Sequence, residues 1–304
     1  MKKTFYSNGK LLITAEYLVL DGARALALPT KFGQNLTVEN GKEHQIVWKS
    51  FDSDGTIWFE TTILFSEIIN YSNQENASER STLIKILHEA YKKNSNFIKF
   101  SEGYIVETRL TFPKIWGLGT SSTLISNIAQ WLQIDAFELL NNSFGGSGYD
   151  IACAQNNTAI LYHLENHKPI VKPIVFKPKC AENLYFVYLN QKQNSKSAIA
   201  AYYKKNKNLT HEIEIINQIT ADIIENNDIE YFTKLLQLHE KTMSTVLEMP
   251  TVKSNLFSDF EGEIKSLGAW GGDFVMVVSK GNPTNYFKEK GFFVVVPYSE
   301  MIIS

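Results

Sequence analysis

The stretch Pro113-Lys114-Ile115-Trp116-Gly117-Leu118-Gly119-Thr120-Ser121-Ser122-Thr123 decides the fold, because it joins a predicted strand to a predicted helix. Apolar and polar side chains alternate over residues 104–112, which predicts a β-strand that ends at the proline. The spacing of apolar residues in 124–132 predicts an amphipathic helix. Two glycines and four hydroxyl residues therefore lie on a strand-to-helix turn. Free N–H groups and the positive end of the dipole at a helix N-terminus favour an anion, so this turn suits a polyphosphate.

A short glycine motif alone is a weak functional signal, and a capped helix after a tight turn is the plain alternative. Two familiar phosphate-binding patterns are excluded by their spacing. No lysine follows the second glycine, as a Walker A loop requires, and no third glycine lies where the dinucleotide-binding fingerprint needs one.

The composition is that of an ordinary globular protein. The chain has 304 residues, enough for one large or two ordinary domains, with 44% hydrophobic and 20% charged residues. A net charge of −2 without long basic runs gives no case for nucleic acid. The N-terminal residues lack the apolar core of a signal peptide, and apolar runs of about five residues are too short to span a membrane. Cys153 and Cys180 have no metal-binding spacing, and we expect a cytoplasmic protein without a membrane partner.

The pattern of the second half favours an antiparallel sheet backed by helices. We place a boundary near residue 180, which divides the chain into domains 1–180 and 181–304. In the first domain we predict a β-meander over 34–63 and helices over 82–91 and after 148. In the second we predict strands over 184–189, after the glycines of 268–272 and over 292–296, and helices near 196–205, 211–226, 228–247, 251–267 and 284–290.

A second special turn is formed by Ser147-Gly148-Tyr149-Asp150, which follows two further glycines. The plain alternative is that Asp150 caps the following helix, an everyday role for aspartate. Near the N-terminus, Lys10 and Glu16 are charged residues in an otherwise apolar stretch, for which a surface ion pair is the plain interpretation.

Three glycine-containing motifs, each weak alone, form a much stronger pattern in this order. Gly9-Lys10, leading into Ala15-Glu16-Tyr17 and then 25–29, resembles the first motif of the GHMP kinases, the family of galactokinase and the homoserine, mevalonate and phosphomevalonate kinases. Residues 113–122 resemble the family's second motif, the phosphate loop Pro-x-x-x-Gly-Leu-Gly-Ser-Ser. Gly268-Ala269-Trp270-Gly271-Gly272-Asp273-Phe274 resembles the third. The resemblance covers the whole chain, and Asp150 matches the position of the family's catalytic aspartate.

The resemblance implies a two-domain α+β fold. Its N-terminal domain would be like domain 2 of ribosomal protein S5, and its C-terminal domain would be a ferredoxin-like α/β sandwich. It also implies an enzyme that moves the γ-phosphoryl group of ATP to a small-molecule substrate with Mg²⁺. Phosphoryl transfer needs mostly positioning and charge neutralisation, which backbone N–H groups, a metal and a lysine can supply.

The resemblance also assigns roles to residues. Asp150 would activate the acceptor hydroxyl, Lys10 would stabilise Asp150 or the substrate, and Ser121 would help to hold Mg²⁺ or the β-phosphate. Glu138 is a loosely aligned second candidate for the metal. The expected ATP contacts are Gly117, Leu118, Gly119, Thr120, Ser121 and Ser122, and the expected substrate contacts are Glu16, Ser147, Gly148, Gly271 and Gly272.

The chain departs from the family pattern at four positions. Thr120 replaces a serine and Thr123 an alanine, while Trp116 and Trp270 stand where small residues are usual. The two indoles could stack on a base or pack between domains.

The forms of the second turn and of the third motif most resemble mevalonate and phosphomevalonate kinases. Two alternatives stay open: a homoserine or other small-alcohol kinase, and a catalytically silent member that binds a nucleotide or ligand. We expect a monomer or homodimer.

Overall fold

The computed structural model describes residues 2–72, 78–192, 199–200, 202–204, 208–225 and 228–303. The chain forms two compact units, each assembled from separate segments. Unit 1 comprises Met1–Gly9, Phe32–Lys114 and Leu118–Gln155, and unit 2 comprises Lys10–Lys31, Ile115–Gly117 and Asn156–Ser304. The boundary near residue 180 stays a prediction, because compactness alone does not define folding domains. No helix within the described ranges is long and apolar enough to cross a membrane.

Two strands, β1 (Lys3–Leu12) and β2 (Ala25–Asn40), start in one unit and end in the other. The other elements of unit 1 are β3 (Gln45–Phe51), β4 (Ile57–Leu64), α1 (Phe65–Ile69), α2 (Glu79–Lys93), α3 (Asn96–Lys99), β5 (Gly103–Leu110), α4 (Thr120–Leu132), α5 (Ala136–Ser143) and α6 (Tyr149–Gln155). Apolar residues of strands and helices form one core, which includes the buried side chains of Leu36, Trp48, Leu87 and Ile128. The predicted strand before the glycine turn and the helix after it are confirmed as β5 and α4.

The predicted β-meander is wrong in its strand order. β3 and β4 do form an antiparallel hairpin, but β5 lies between β2 and β3 and pairs with β3 in parallel. A parallel pair needs a crossover connection, which α1, α2 and α3 supply between β4 and β5. Alternation along a strand reports which face is buried and carries no information about which strand pairs with it.

The other elements of unit 2 are β6 (Ile160–Glu165), β7 (Lys168–Pro173), β8 (Leu184–Tyr188), α7 (Thr210–Glu225), α8 (Ile229–Leu247), α9 (Val252–Leu256), β9 (Glu263–Ser266), β10 (Phe274–Val278), α10 (Thr284–Glu289), β11 (Val295–Pro297) and α11 (Tyr298–Met301), together with 3-10 turns at Leu18–Asp21 and Ala181–Asn183. Four of the strands form an antiparallel sheet in the order β11-β8-β10-β9. Helix α8 packs against α7 and against β9. The sheet core contains Val187, Ile264, Val275 and Phe287.

The helix predicted over 251–267 is wrong beyond α9. Residues Glu263–Ser266 form β9, an antiparallel partner of β10 that is buried along its whole length. Glu263 and Lys265 give this strand a charged appearance, although both are buried. The predicted helices over 211–226 and 228–247 are confirmed as α7 and α8. Half of the one near 196–205 lies outside the described residues, and of the other half 199–200 and 202–203 are helical.

Candidate active site

The glycine turn of unit 1 leads into a helix that lacks a side-chain cap. Gly119 has the left-handed backbone (φ 101°, ψ 42°) and no side-chain hydrogen bond closes the start of α4. The first N–H groups of an α-helix have no acceptor within the helix, and the helix dipole places positive charge there. This end of α4 therefore has the properties of an anion-binding site.

Some hydroxyl residues of this turn are buried and bonded within the protein, whereas one is exposed to solvent. Ser122 Oγ donates to Gly119 O at 2.9 Å, and Thr123 Oγ1 lies 3.0 Å from the same carbonyl. Both residues are buried, and Thr123 also donates to Gln34 Oε1 at 2.9 Å. Ser121 is exposed. Of the two serines, Ser121 is thus the one whose hydroxyl faces solvent at the helix N-terminus.

Asp150 lies in the first turn of α6, which packs against α4 within unit 1. The turn before it needs glycine, since Gly146 and Gly148 have φ of 112° and 86°. Asp150 is half-buried, and its Oδ1 accepts from Ile151 N at 3.0 Å. It lies inside the helix, two residues beyond the N-cap position that the plain alternative requires.

In unit 2, residues of the first and third motifs meet at Gly117. Lys10 Nζ donates to Gly117 O at 3.0 Å. A Cβ atom on Gly117 would lie 2.3 Å from Asp273 Cγ, and the φ of Gly117 is +69°. Both facts require glycine at this position. Asp273 of the third motif therefore lies directly against Gly117 of the second motif.

The two tryptophans of the motifs have packing contacts inside unit 2. Trp270 is 4% exposed, and its Nε1 donates to Pro250 O at 3.0 Å. Trp116 makes an edge contact with Phe274, with ring centroids 5.4 Å apart. These contacts favour packing over stacking on a base, and they lie within one unit.

Glu16 belongs to a buried cluster that sequence analysis missed. Its side chain is fully buried, and Lys265 Nζ lies 2.5 Å from Oε1 while His239 Nε2 lies 3.2 Å from Oε2. The surface ion pair suggested for Lys10 and Glu16 is therefore wrong. No periodic signal marks Lys265 or His239, because a charged or polar residue in a sequence argues against burial. With its carboxylate held by Lys265 and no exposed surface, Glu16 leaves the set of residues that we assign to the substrate.

Burial controls the charge states in this cluster. It raises the pKa of Glu16, although the Lys265 ammonium opposes the shift. It lowers the pKa of His239 well below 6.5, and Lys265 adds to that effect. Burial also raises the pKa of Glu240 to about 8, against the opposing charge of Lys265 and with the support of Glu16. Burial thus favours a neutral imidazole at His239 and a protonated carboxyl group at Glu240 at neutral pH.

The remaining candidates are dispersed. Glu138 is exposed on α5 and forms an ion pair with Lys93 at 2.8 Å. Among the described residues, no group of three or more His, Cys, Asp or Glu side chains could hold a metal ion. In the glycine turns, Ser147 and Gly271 are half-buried and Gly148 and Gly272 are buried.

No protein-family model matches the chain, and no curated protein matches it either. Solved structures do match. Methanococcus jannaschii mevalonate kinase has a TM-score of 0.72 at 15% identity, over 98% of this chain and 98% of that one. Streptococcus pneumoniae phosphomevalonate kinase in complex with phosphomevalonate and AMPPNP has a TM-score of 0.70 at 15% identity, over 96% and 99%. Lactococcus lactis galactokinase complexed with galactose has a TM-score of 0.66 at 10% identity, over 100% and 95%.

All three proteins are GHMP kinases. The predicted α+β fold is confirmed, because the chain matches this two-domain fold over nearly its whole length. Sequence identities of 10 to 15% establish the fold alone, so the reaction has to be argued from the site.

Proposed function

We propose that this protein is an ATP-dependent kinase that transfers the γ-phosphoryl group to a small acid of the mevalonate or phosphomevalonate type. The observation that carries the proposal is the uncapped, glycine-entered N-terminus of α4 with Ser121 exposed on its first turn. Such an end binds phosphate through backbone N–H groups, without any need for a Walker A lysine. The fold shared with mevalonate and phosphomevalonate kinases supports the same reaction.

Each candidate residue has a chemical task in this proposal. The N–H groups at the start of α4 neutralise charge on the ATP phosphates, where most of the catalytic effect of phosphoryl transfer arises. Ser121 donates to, or helps to orient, the same phosphates. Asp150 accepts the proton of the acceptor hydroxyl or orients it, and Lys10 holds Gly117 through its carbonyl.

Mg²⁺ fits these residues only as a nucleotide-bound ion. Magnesium keeps several waters and commonly binds through one or two protein oxygens plus substrate phosphates. The described residues offer no three-residue cluster of acidic, His or Cys ligands, and Glu138 is paired with Lys93. Ser121 is the residue that we assign to it. When bound, the ion would neutralise charge on the phosphates of ATP.

The preference for an acid acceptor comes from the forms of the second turn and the third motif. The phosphomevalonate kinase complex supports this class, since that protein binds phosphomevalonate and an ATP analogue. Galactokinase has the same fold, so the fold itself does not select the acceptor.

A coupled ADP-release assay tests the proposal with mevalonate, phosphomevalonate, homoserine and galactose as acceptors. We expect turnover that depends on an acid acceptor and falls sharply in Asp150→Asn. Homoserine or galactose as the single accepted substrate would overturn the acceptor class. Binding of AMPPNP without turnover on any acceptor would indicate a silent nucleotide-binding protein instead.

A further inference from the structure

Three consecutive residues of the first motif are held by side chains or backbone from the C-terminal part of unit 2. Ala15 N donates to His239 Nε2 at 3.1 Å, Lys265 Nζ donates to Glu16 Oε1 at 2.5 Å, and Trp270 N donates to Tyr17 Oη at 3.3 Å. Helix α8, strand β9 and the third motif each contribute one of these contacts. The first-motif turn is therefore fixed from three sides within its own unit.

The backbone of this turn is strained at two residues. Ala15 and Tyr17, on either side of Glu16, have φ of +67° and +61°. Residues with a Cβ atom rarely adopt a positive φ, because the Cβ atom then crowds the backbone. Such strain persists only when the surrounding structure over-determines it. The three contacts to His239, Lys265 and Trp270 supply that constraint.

Lys265 is central because its ammonium has no exposed surface and must be paired. Its side chain is fully buried, and Nζ donates to Ser266 O at 2.7 Å as well as to Glu16. A buried charge that loses its partner is strongly destabilising, so the position of Glu16 is tied to β9. The chain runs from β9 directly into the third motif, which begins at Gly268.

The two motifs joined in this way both reach Gly117. Lys10, at the end of β1, donates to its carbonyl oxygen, while Asp273 of the third motif lies against its Cα. Residues of the first and third motifs thus meet at Gly117, and the Glu16–Lys265 pair is a second contact between the same two segments.

We propose that Lys265 is a positioning residue for the kinase reaction: by holding Glu16, it aligns the first and third motifs on Gly117. Lys265 contacts neither nucleotide nor acceptor in this role. The inference rests on the proposed function, and its test includes a measurement that does not require activity.

The test compares the Glu16→Gln/Lys265→Met double variant with wild type and with Lys265→Met. The single variant leaves a buried carboxylate unpaired and serves as the harsher perturbation, whereas the double variant removes both charges at nearly constant volume. Lys253→Met is the matched control, because Lys253 pairs with Glu263 of the same strand at 3.2 Å without reaching the first motif.

We expect the folded double variant to bind AMPPNP within about twofold of wild type and to lose about tenfold or more in kcat/KM for the acceptor, since small misplacements of a catalytic site are costly. Hydrogen exchange at Ala15 and Trp270 should become faster in the same variant. Lys253→Met should leave both kcat/KM and the hydrogen exchange at these two amides unchanged.

A folded double variant with wild-type turnover, or with wild-type exchange at both amides, would overturn the proposal. Failure of both Lys265 variants to fold would overturn it as well, because the pair would then be structural. If wild type transfers no phosphoryl group, the proposed function fails, while the exchange measurement still decides whether Lys265 aligns the two motifs.

Discussion

Glu240 should make the stability of the protein depend on pH near neutrality. Its side chain is 3% exposed on α8, and Oε2 accepts from Ser266 Oγ at 3.1 Å. Burial raises the pKa of this carboxyl group from 4.5 to about 8, while Lys265 opposes the shift and Glu16 adds to it. The perturbation is Glu240→Gln, which resembles the protonated acid and keeps an oxygen that accepts from Ser266.

The sign follows from the two protonation states. Above pH 4.5 the unfolded chain has lost the Glu240 proton, whereas the folded protein keeps it until about pH 8, so stability falls as the pH rises through this window. His239 has the opposite effect on stability below pH 6.5, because its imidazole is protonated in the unfolded chain but stays neutral in the folded protein. The window from pH 6.5 to about 8 therefore contains much of the Glu240 effect and little of the opposite effect from His239. One pKa unit corresponds to about 1.4 kcal/mol, so wild type should lose roughly 2 kcal/mol across it.

Thermal unfolding at pH 6.5 and pH 8 measures this difference. At roughly 2 to 4 °C per kcal/mol for chains of 150–250 residues, Tm should fall by about 4 °C, or somewhat less in this longer chain. Glu240→Gln should lose most of that dependence. Glu261→Gln, an exposed site before β9, is the control and should behave as wild type. Equal pH dependence in wild type and Glu240→Gln would refute the assignment of a protonated Glu240.

Three further substitutions test the candidate site. Gly117→Ala should lower turnover and should also lower the free energy of unfolding, by about 1 to 2 kcal/mol from its positive φ alone. Gly268→Ala is its control, because Gly268 has φ +64° but no atom lies within 4 Å of the added Cβ. Equal Tm losses in the two variants would contradict the steric argument. Ser121→Ala should keep Tm within about 1 °C and weaken the dependence of turnover on ATP. Ser122→Ala should lower the free energy of unfolding by about 1 kcal/mol, because it loses the hydrogen bond to Gly119 O. An unchanged ATP dependence in Ser121→Ala would remove this hydroxyl from the site. Asp150→Asn should keep the fold and AMPPNP binding but lower kcat roughly a hundredfold, the scale of general-base loss, and near-normal turnover would argue for a structural aspartate.

Sequence patterns predicted the parts of the fold that depend on neighbours along the chain. The strand at 104–112 and the helix after Gly119 follow from periodicities of two and 3.6 residues, which report the buried face of an element. The glycine turns were predicted for the same reason, since a positive φ at Gly117, Gly119 and Gly148 is a local property. The order of the three motifs also predicted the overall fold, because it resembles a family pattern that extends over the whole chain.

Contacts between residues that are distant in the sequence could not be predicted from such local patterns. The parallel pairing of β3 with β5 depends on a crossover of three helices, and neither strand carries a signal for it. Lys265 was missed for a related reason: a charged residue argues against burial, and its partner Glu16 is far away in sequence. Glu263 and Lys265 also give β9 a charged sequence, although the whole strand is buried.

The three motifs are a stronger signal together than alone, because one residue from each of them takes part in the same set of contacts. Gly117 has to be glycine, since its backbone is left-handed and the Asp273 carboxyl group occupies the space of a side chain. Its carbonyl oxygen then accepts from Lys10, which a shorter or uncharged side chain would not satisfy in the same way. A substitution at any one of these residues changes the environment of the other two, so their effects should not add, as is usual for residues in direct contact. The sequence pattern that resembles the family's three motifs therefore corresponds to a physical set of contacts at Gly117.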